Sequence, residues 1–490
     1  MRLAKAACRL FSSSAAEQHA LAPAYKKVFE ELSSRGLVYQ TTGDWSKWGL
    51  KQSDGVYCGV DPTASSLHVG HLNALIVLKH FQMAGIPTVA LVGGATAVIG
   101  DPTGRSTERP IIPKEELDRN IGSLRGQINS LLNEDPITAE GVSHSTRILN
   151  NATWFGAMSV LDFFGPTGCA RDMRIAAMMS RDSVQSRMSS RSPTSTSEKD
   201  SQHGSSGTDS DNDHDEGLSL SEFCYQAFQG YDFLHLYRNE GVKLQIGGSD
   251  QWGNIVAGTS LIRRSLHRIM SEHDSGEEAN VDVQGMTMPL LTDAAGQKMG
   301  KTSGGKAVWL DADRVSPFQF YQYWLQVRDD DVEKMMKRLT FIHVDDIKQI
   351  VVEHEKEAHL RKAQKKLAEE LTTFVHGPAA MKRAQVTTDV LYNDVTSVSA
   401  FDIITHCEGV KRMKVEKQTF LTQELATTLK DGGMVASKGE ARRLMKEGGL
   451  SVSGQKVTDG NATGSDAHLI EGAVAVVKMG KKRYALVEMC

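Results

Sequence analysis

The stretch that decides the fold is YCGVDPTASSLHVGHLNAL, which runs from Tyr57 to Leu75. It begins as a short apolar run, continues through a loop rich in Gly, Pro and Ser, and ends in a helical pattern, so it predicts a strand that passes into a helix. His68 and His71 flank Gly70 at the start of that helix, where backbone N–H groups and the helix dipole favour a phosphate. Imidazoles there could donate hydrogen bonds to charge that develops on a phosphorus-bound oxygen. Taken alone, the motif also fits two histidines that are hydrogen-bonded within a loop.

The same alternation continues along the chain. Short apolar runs at Thr88–Val92 and 244–246 are each followed by Gly and a polar loop, and a helical pattern covers 72–84. Strands that alternate with helices predict a doubly wound, Rossmann-like α/β domain with a parallel sheet. Ligands bind beyond the carboxyl ends of the strands in such sheets. Three glycine-rich stretches fall there: GVDPTASSLHVGH, GGATAVIGDPTGR and IGGSDQWGN.

The pattern changes twice further on. After Ser316, helical periodicity with few glycines predicts a helical domain over 316–431. From Gly432 a short helical pattern, GEARRLMKEG, precedes the strand-like pieces LSVSG and AVAVVKMGKKRYALVEM, which predicts a small α+β domain over 432–490. The α/β domain is therefore expected to cover 24–315.

Composition and charge exclude some classes of protein. The chain has 490 residues and a formal net charge of −4, and no apolar run approaches the ~20 residues that a membrane-spanning helix requires. Its six cysteines are scattered without CxxC spacing, which argues against a structural zinc site and a disulfide framework. Residues 411–490 carry 14 Lys and Arg against 9 Asp and Glu, a local charge of +5. This favours contact with nucleic-acid phosphates, although a solvated basic face would look the same.

Two segments depart from the globular pattern. The N-terminal MRLAKAACRLFSSSAA is basic, has no acidic residue before Glu17 and contains a serine run. Residues 1–23 are therefore predicted to be an organellar transit peptide. The mitochondrial matrix is favoured, with a plastid or dual targeting as the alternatives, and a disordered tail with accidental charge is the alternative to any transit peptide. Residues 189–216 contain no Val, Ile, Leu, Met, Phe, Trp or Tyr. They predict a disordered acidic insertion, because they cannot bury enough apolar surface to offset the entropy of ordering.

A second phosphate-directed motif is QKMGKTSGGKAVWLD, at 297–311. Lys298 and Lys301 flank a small Met-Gly step and precede Thr302, so they could close on a triphosphate and neutralise charge on a leaving pyrophosphate. The spacing is not GxxxxGK[ST], which excludes a P-loop. As an isolated pair, the two lysines also fit a solvated loop.

Together, HVGH and KMGKT on either side of a parallel α/β sheet resemble the HIGH and KMSKS signatures of the class I aminoacyl-tRNA synthetases. Four stretches resemble the bacterial and organellar tyrosyl-tRNA synthetases in particular: YCGVDPTASSLHVGHL, LVGGATAVIGDPTGRSTER, FCYQAFQGYDFLHLY and LQIGGSDQWGNI. The resemblance runs from about Ala24 to the C-terminus. There, ASKGEARRLMKEGGLSV and KMGKKRYALV are similar to the S4-like RNA-binding domain of that family.

The resemblance implies a role for each matching residue. It places Tyr57 and Asp232 at the phenolic OH of a bound tyrosine, although an Asp that caps the following helix is an alternative for Asp232. The α-ammonium is expected to meet Asp101, Tyr225 and Gln229. The residues implied for ATP and the adenylate are Cys58, Gly59, Asp61, His68, Gly70, His71, Gly248, Asp250, Gln251, Lys298, Lys301 and Thr302. Thr63, Arg105 and Arg109 are implied around the phosphates. Arg105 stands where bacterial members often have Lys, so its hydrogen-bond geometry differs from that of a lysine. Ala74 stands where they often have Thr, so it makes no polar contact to the adenylate.

The implied activity is that of a tyrosine–tRNA ligase for organellar translation. L-tyrosine and ATP, accompanied by Mg²⁺, would give tyrosyl-adenylate, and the tyrosyl group would pass to the 3′-terminal adenosine of tRNA(Tyr). Family members are homodimers, and the segment NATWFGAMSVLDFFG is a plausible contact. Two alternatives remain at this point: a tryptophanyl-tRNA synthetase, and a noncatalytic RNA-binding or splicing protein on a synthetase body.

Overall fold

The computed structural model describes residues 20–103, 109–134, 145–188, 218–272, 282–292, 296, 299, 307–480 and 483–490. Outside these ranges lie the predicted transit peptide up to residue 19, the predicted insertion at 189–216, and Arg105, Lys298, Lys301 and Thr302. The chain divides into two compact units. The first comprises Met1–Ala307 with Lys337–Val344, and the second comprises Val308–Met336 with Asp345–Cys490.

A six-stranded sheet forms the centre of the first unit. Its strands are β1 (Gln40–Thr41), β2 (Gly55–Val60), β3 (Thr88–Val92), β4 (Arg147–Asn150), β5 (Val242–Gly248) and β6 (Gln284–Met288). The strand order is β1-β6-β5-β2-β3-β4, and each neighbouring pair is parallel except β1 with β6. All of β3 is buried, as expected for an apolar strand covered on both faces. The predicted parallel α/β sheet is confirmed; its short antiparallel edge β1 was not predicted, because two polar residues carry no strand pattern.

Helices flank this sheet. The long ones are α1 (Pro23–Ser34), α2 (Val69–Met83), α3 (Lys114–Asn133), α4 (Leu220–Glu240) and α5 (Trp252–Glu272). Short helices cover Thr96–Ile99, Ala152–Phe155, Val160–Phe164, Ile175–Met179 and Asp182–Met188. α4 begins where the Ser219 hydroxyl accepts from the backbone N–H of Glu222, and it ends at Gly241 in the left-handed region. Its apolar face contributes Phe233 to a core that also contains Leu261 and Val283.

The C-terminal part of the chain starts with helices. They are α6 (Pro317–Leu325), α7 (Asp329–Leu339), α8 (Val344–Lys356), α9 (Lys362–Tyr392) and α10 (Ala400–His406). α9 is interrupted at Gly377, whose φ is 81°. The next residue is Pro378, and proline disfavours helical geometry in the residue before it.

A second, five-stranded sheet follows in the same unit. Its strands are β7 (Lys411–Val415), β8 (Leu450–Val452), β9 (Gln455–Lys456), β10 (Val474–Met479) and β11 (Arg483–Met489), in the order β7-β11-β10-β8-β9. With it lie α11 (Lys417–Thr422), α12 (Leu425–Asp431) and α13 (Lys438–Lys446). Phe420, Leu425 and Leu429 pack in one core with Leu450 and Val477. We call β7 to β11 with α11, α12 and α13 the C-terminal module. Residues before Gly432, which the sequence analysis placed in the helical domain, therefore help to form the core of this module.

No helix in the described part of the chain is long and apolar enough to cross a membrane. Cys58, Cys169, Cys224, Cys407 and Cys490 are free thiols.

Candidate active site

A cavity of about 360 Å³ opens at the carboxyl ends of β2, β3 and β5. This is the position at which parallel α/β sheets bind ligands. The structure brings most of the residues singled out above to its wall: Tyr57, Cys58, Gly59, Asp61, Thr63, His68, Gly70, His71, Asp101, Arg109, Tyr225, Gln229, Asp232, Gly248, Asp250 and Gln251. Ala74 lines it as well. Arg105, Lys298, Lys301 and Thr302 lie outside the described residues, so their placement stays a prediction.

The two histidines form the N-terminus of α2. His68 is the N-cap: its Nδ1 accepts from the N–H of Gly70 at 3.0 Å, and the N–H of His68 donates to Nδ1 of His71 at 3.1 Å. Their rings stack with centroids 3.9 Å apart. Gly70 leaves room for this ring position, because a Cβ there would lie 2.8 Å from Cε1 of His68. Burial, more than the neighbouring His68, lowers the pKa of His71 to about 3, so the ring is neutral at physiological pH.

Asp232 lies inside the cavity wall with both carboxyl oxygens already hydrogen-bonded. Nδ2 of Asn151 donates to Oδ2 at 3.1 Å, and Nε1 of Trp154 donates to Oδ1 at 2.9 Å. The residue is in the interior of α4, which excludes the helix-cap alternative. Burial raises its pKa to about 8, although both donors act in the opposite direction.

Tyr57 on β2 lies near Asp232, and its hydroxyl is available for a further hydrogen bond. Its ring is buried against Phe233, with centroids 5.3 Å apart, and its hydroxyl has no hydrogen-bond partner among the described residues. Burial and the nearby Asp232 raise the pKa of this hydroxyl well above its ordinary value. A buried hydroxyl without a partner is costly. It is therefore suited to a polar group that a ligand supplies.

Asp61 supplies a second carboxyl to the wall and is partly buried. Its Oδ2 accepts from the Tyr225 hydroxyl at 2.8 Å, and its Oδ1 accepts from the Thr96 hydroxyl at 2.7 Å. Burial raises its pKa to about 6, and these two donors hold it below a still higher value. Gly93 permits this contact, because a Cβ there would lie 2.0 Å from Oδ1 of Asp61.

Asp101 belongs to a third polar group, at the end of the loop after β3. Its Oδ2 accepts from Nε2 of Gln251 at 2.9 Å, and its Oδ1 accepts from the N–H of Thr103 at 3.0 Å. Nε of Arg109 donates to the carbonyl of Asp101 at 3.1 Å, which keeps a cation beside the carboxyl. Oε1 of Gln229 is buried and has no partner among the described residues. A carboxyl group and hydrogen-bonding amide groups thus line one cavity.

Sequence reasoning missed several polar residues of this site: besides Asn73 and Gln245 in the cavity wall, it missed three that contact Asp61 or Asp232. Thr96 and Asn151 line the cavity, and Trp154 reaches Asp232 from behind it. Thr96 lies within a stretch quoted above for its resemblance, whereas Asn151 and Trp154 lie in NATWFG, which was interpreted as a subunit contact. Their contacts join parts of the chain between 35 and 81 residues apart, which no local pattern predicts.

A helix N-terminus that opens into a cavity beside acidic and amide side chains is the arrangement expected of a site that activates a substrate through a phosphate. Comparisons with known proteins agree with it. Residues 51–393 match the family model of the tRNA synthetases class I (W and Y), which defines the class. Residues 402–487 match the tyrosine–tRNA ligase SYY-like C-terminal domain.

Individual relatives narrow the class further. The tyrosine–tRNA ligase of Desulfitobacterium hafniense is 37% identical over 464 residues, covering 94% of this chain and 99% of that protein. That of Streptococcus suis is 37% identical over 462 residues, with the same coverage of 94% and 99%. The chain belongs to the tyrosine–tRNA ligase family of class I tRNA synthetases.

Solved structures agree with this assignment. The C-terminally truncated mitochondrial tyrosyl-tRNA synthetase of Aspergillus nidulans superimposes with a TM-score of 0.60 at 28% identity, covering 80% of this chain and 98% of that one. The corresponding enzyme of Coccidioides posadasii gives a TM-score of 0.58 at 32% identity, covering 78% and 94%.

Proposed function

We propose that this chain is a tyrosine–tRNA ligase that activates L-tyrosine with ATP and transfers it to tRNA(Tyr). One observation carries the choice of amino acid: Asp232, held by Asn151 and Trp154, lines the same cavity as the unpartnered hydroxyl of Tyr57. A phenolic OH that donates to Asp232 and accepts from Tyr57 would satisfy both groups. It would also add a third donor to Asp232 and so favour its ionised form.

This arrangement explains selectivity against phenylalanine. A benzyl side chain would fit the space but would leave the buried carboxyl and the Tyr57 hydroxyl unpaired, and such loss costs about 1–3 kcal/mol for each group. An indole differs from a phenol in shape and offers only an N–H donor. The substrate ammonium would meet Asp101, Tyr225 and Gln229, since Tyr225 donates its proton to Asp61 and keeps its lone pairs for an acceptor role.

ATP would lie over the start of α2. The N–H groups there, with His68, Gly70 and His71, would face the α-phosphate, and Thr63 and Arg109 would lie near the phosphates. Cys58, Gly59, Asp61, Gly248, Asp250 and Gln251 would contact the adenosine or the adenylate. Arg105, Lys298, Lys301 and Thr302 would close on the β- and γ-phosphates.

The first reaction needs no protein nucleophile. A carboxylate oxygen of tyrosine attacks the α-phosphorus, the O–P bond forms as the bond to pyrophosphate breaks, and the electron pair leaves with pyrophosphate. Catalysis is then positioning and charge stabilisation. No group of three or more His, Cys, Asp or Glu among the described residues is arranged to hold a metal ion. Mg²⁺ would be carried by the phosphates of ATP.

The second reaction transfers the tyrosyl group to the 3′-terminal adenosine of tRNA, with release of AMP. The basic C-terminal module, of the S4-like kind, would hold the tRNA through its phosphates. A homodimer is supported by exposed apolar side chains in the segment that the sequence analysis named as a subunit contact, namely Val160, Leu161 and Phe164. A mitochondrial location is supported by the basic, serine-containing N-terminus and by the two mitochondrial relatives of known structure.

Amino-acid-dependent exchange of pyrophosphate into ATP tests this function. Exchange with tyrosine, and with neither tryptophan nor phenylalanine at equal concentration, is the expected result. Exchange with tryptophan would favour the other branch of the class, and no exchange with any amino acid would favour a noncatalytic RNA-binding protein.

A further inference from the structure

A continuous series of side-chain hydrogen bonds joins two carboxyls of the cavity, those of Asp61 and Asp232. The Thr96 hydroxyl donates to Oδ1 of Asp61 at 2.7 Å. Nδ2 of Asn151 donates to Oγ1 of Thr96 at 3.0 Å and also to Oδ2 of Asp232 at 3.1 Å. Thr96, Asn151 and Asp232 are buried, and Asp61 is partly exposed to the cavity. Solvent therefore cannot replace a hydrogen bond that is lost between Thr96, Asn151 and Asp232.

The direction of each bond in this series is fixed. The backbone N–H of Ala95 donates to Oδ1 of Asn151 at 2.7 Å, so the amide nitrogen must carry the other two contacts. The oxygen of Thr96 accepts one of them, and its single proton is therefore directed to Asp61. Gly93 leaves room for the hydroxyl, because a Cβ at Gly93 would lie 2.3 Å from Oγ1 of Thr96. Both carboxyls are thus held as acceptors by one threonine–asparagine pair.

We propose that Thr96 is a positioning and specificity-determining residue, whose hydroxyl couples the carboxyl that recognises the substrate phenol, Asp232, to the carboxyl beside the substrate ammonium and adenylate, Asp61. This inference rests on the proposed function. Loss of the hydroxyl removes a donor from Asp61 and releases one of the two donors of Asn151 from its fixed partner. Both ends of the substrate are then held less firmly.

The charges around Asp61 give the proposal a pH signature. Asp101 raises the pKa of Asp61, whereas Arg109, the Tyr225 hydroxyl and the Thr96 hydroxyl lower it. Asp61 also raises the pKa of Asp232, since like charges repel. With Thr96 present, the pKa of Asp61 is about 6, so tyrosine affinity should rise as pH rises through about 6. Without the Thr96 donor this rise should occur at higher pH.

The test is equilibrium binding of L-tyrosine and of L-phenylalanine to the full chain without ATP, between about pH 5 and pH 8. Thr96→Val keeps the shape and removes the hydroxyl, and Thr96→Ser retains the hydroxyl. Thr88→Val is a matched control: Thr88 is a buried threonine of the neighbouring β3 whose hydroxyl bonds to that of Thr146 at 2.8 Å, away from the cavity.

The proposal expects Thr96→Val to weaken tyrosine binding about tenfold or more, the change expected for a lost hydrogen bond to a charged group. It also expects the ratio of tyrosine affinity to phenylalanine affinity to fall, and the rise of tyrosine affinity with pH to move to higher pH. Thr96→Ser and Thr88→Val should match the parent in affinity, selectivity and pH dependence. Unchanged selectivity and pH profile in Thr96→Val, or equal changes in Thr88→Val, would overturn it. If Thr96→Val does not fold, Thr96→Ala replaces it. A parent chain that binds no tyrosine would overturn the proposed function too, whereas a binding parent with a silent Thr96→Val overturns the coupling alone.

Discussion

The cavity of the first unit and the C-terminal module place their polar groups in opposite ways. In the cavity, Asp232 is buried and Asp61 is partly buried, and each carboxyl accepts from two donors. In the module, an apolar core around Phe420 and Val477 carries its Lys and Arg side chains on the outside, where Arg443 and Lys446 are exposed. A buried, fully directed network discriminates between small molecules that differ by one hydroxyl. An exposed basic surface instead attracts a polyanion over a distance and is sensitive to salt.

The largest effect should come from Asp232→Asn. An amide has only one acceptor oxygen, and its NH2 group would face Asn151 or Trp154, both of which already donate. The side chain would therefore be held less well as an acceptor for the phenolic OH of the substrate. We expect kcat/KM for tyrosine in pyrophosphate exchange to fall about 100-fold or more, with most of the preference over phenylalanine lost. Asp54→Asn is the control, since Asp54 is a buried carboxyl outside the cavity that pairs with Lys243 at 3.1 Å. A retained tyrosine preference would remove Asp232 from the phenol subsite.

The same substitution should have a distinct effect on stability. Because burial raises the pKa of Asp232 to about 8, the folded state keeps a proton that the unfolded state releases above its ordinary pKa of 3.8. The folded parent therefore loses stability as pH rises between these values, by up to about 1.4 kcal/mol per pH unit from this group. Asparagine does not titrate. The free energy of unfolding of Asp232→Asn relative to the parent should increase from about pH 5 to pH 7; a difference that is constant with pH would contradict the raised pKa.

His68→Asn should have the next largest effect. Asparagine is a good N-cap, so the start of α2 should stay intact while the imidazole is lost. The expected result is a kcat for pyrophosphate exchange that is lower by about 10- to 100-fold, with tyrosine affinity and thermal stability near those of the parent. The ratio of the variant kcat to the parent kcat should not change with salt, in contrast to variants of the C-terminal module. A loss of tyrosine binding that equals the loss of kcat would mean that His68 acts through the structure of the loop.

Charge reversal on the module should give a smaller and salt-dependent effect. Arg443→Glu with Lys446→Glu on α13 should lower tRNA charging about tenfold at physiological salt, leave pyrophosphate exchange unchanged, and reduce the dependence of charging on salt. Lys26→Glu with Lys27→Glu on α1 makes the same charge change on the first unit and serves as the control. Equal losses in both pairs would indicate a nonspecific effect of net charge.

The smallest effect should follow deletion of residues 189–216. Arg187 and Glu222 lie on either side of this segment and form a buried ion pair with an N–O distance of 2.9 Å. A short polar linker that preserves this pair should keep Tyr225, which lies one turn further along α4, in place. Pyrophosphate exchange should then change by no more than about twofold, because a segment without apolar side chains adds little to a core. Adding Arg187→Ala leaves the Glu222 carboxylate buried and unpaired, so this second variant should lose activity and stability.

Much of this architecture follows from local pattern. The apolar runs and the glycine-rich loops after them predicted β2, β3 and β5 and the edge of the sheet at which the cavity lies. Thr96, Asn151 and Trp154 were not predicted, because their importance comes from contacts with Asp61 and Asp232 across large sequence separations. The start of the C-terminal module was placed at Gly432 for a related reason: Phe420 and Leu429 have ordinary helical periodicity, and only packing assigns them to that core.

The cap at the start of α2 also determines where two protons lie. Since Nδ1 of His68 and Nδ1 of His71 each accept from a backbone N–H, neither atom can carry a proton. In their neutral forms both rings must be the Nε2–H tautomer, so a local backbone geometry selects one of two isomers of each imidazole. Each neutral ring can then offer its Nε2–H to a ligand, and His71, whose pKa burial lowers to about 3, keeps this neutral form at physiological pH. Nitrogen chemical shifts of the two rings should report this tautomer in the protein alone, before any substrate is added.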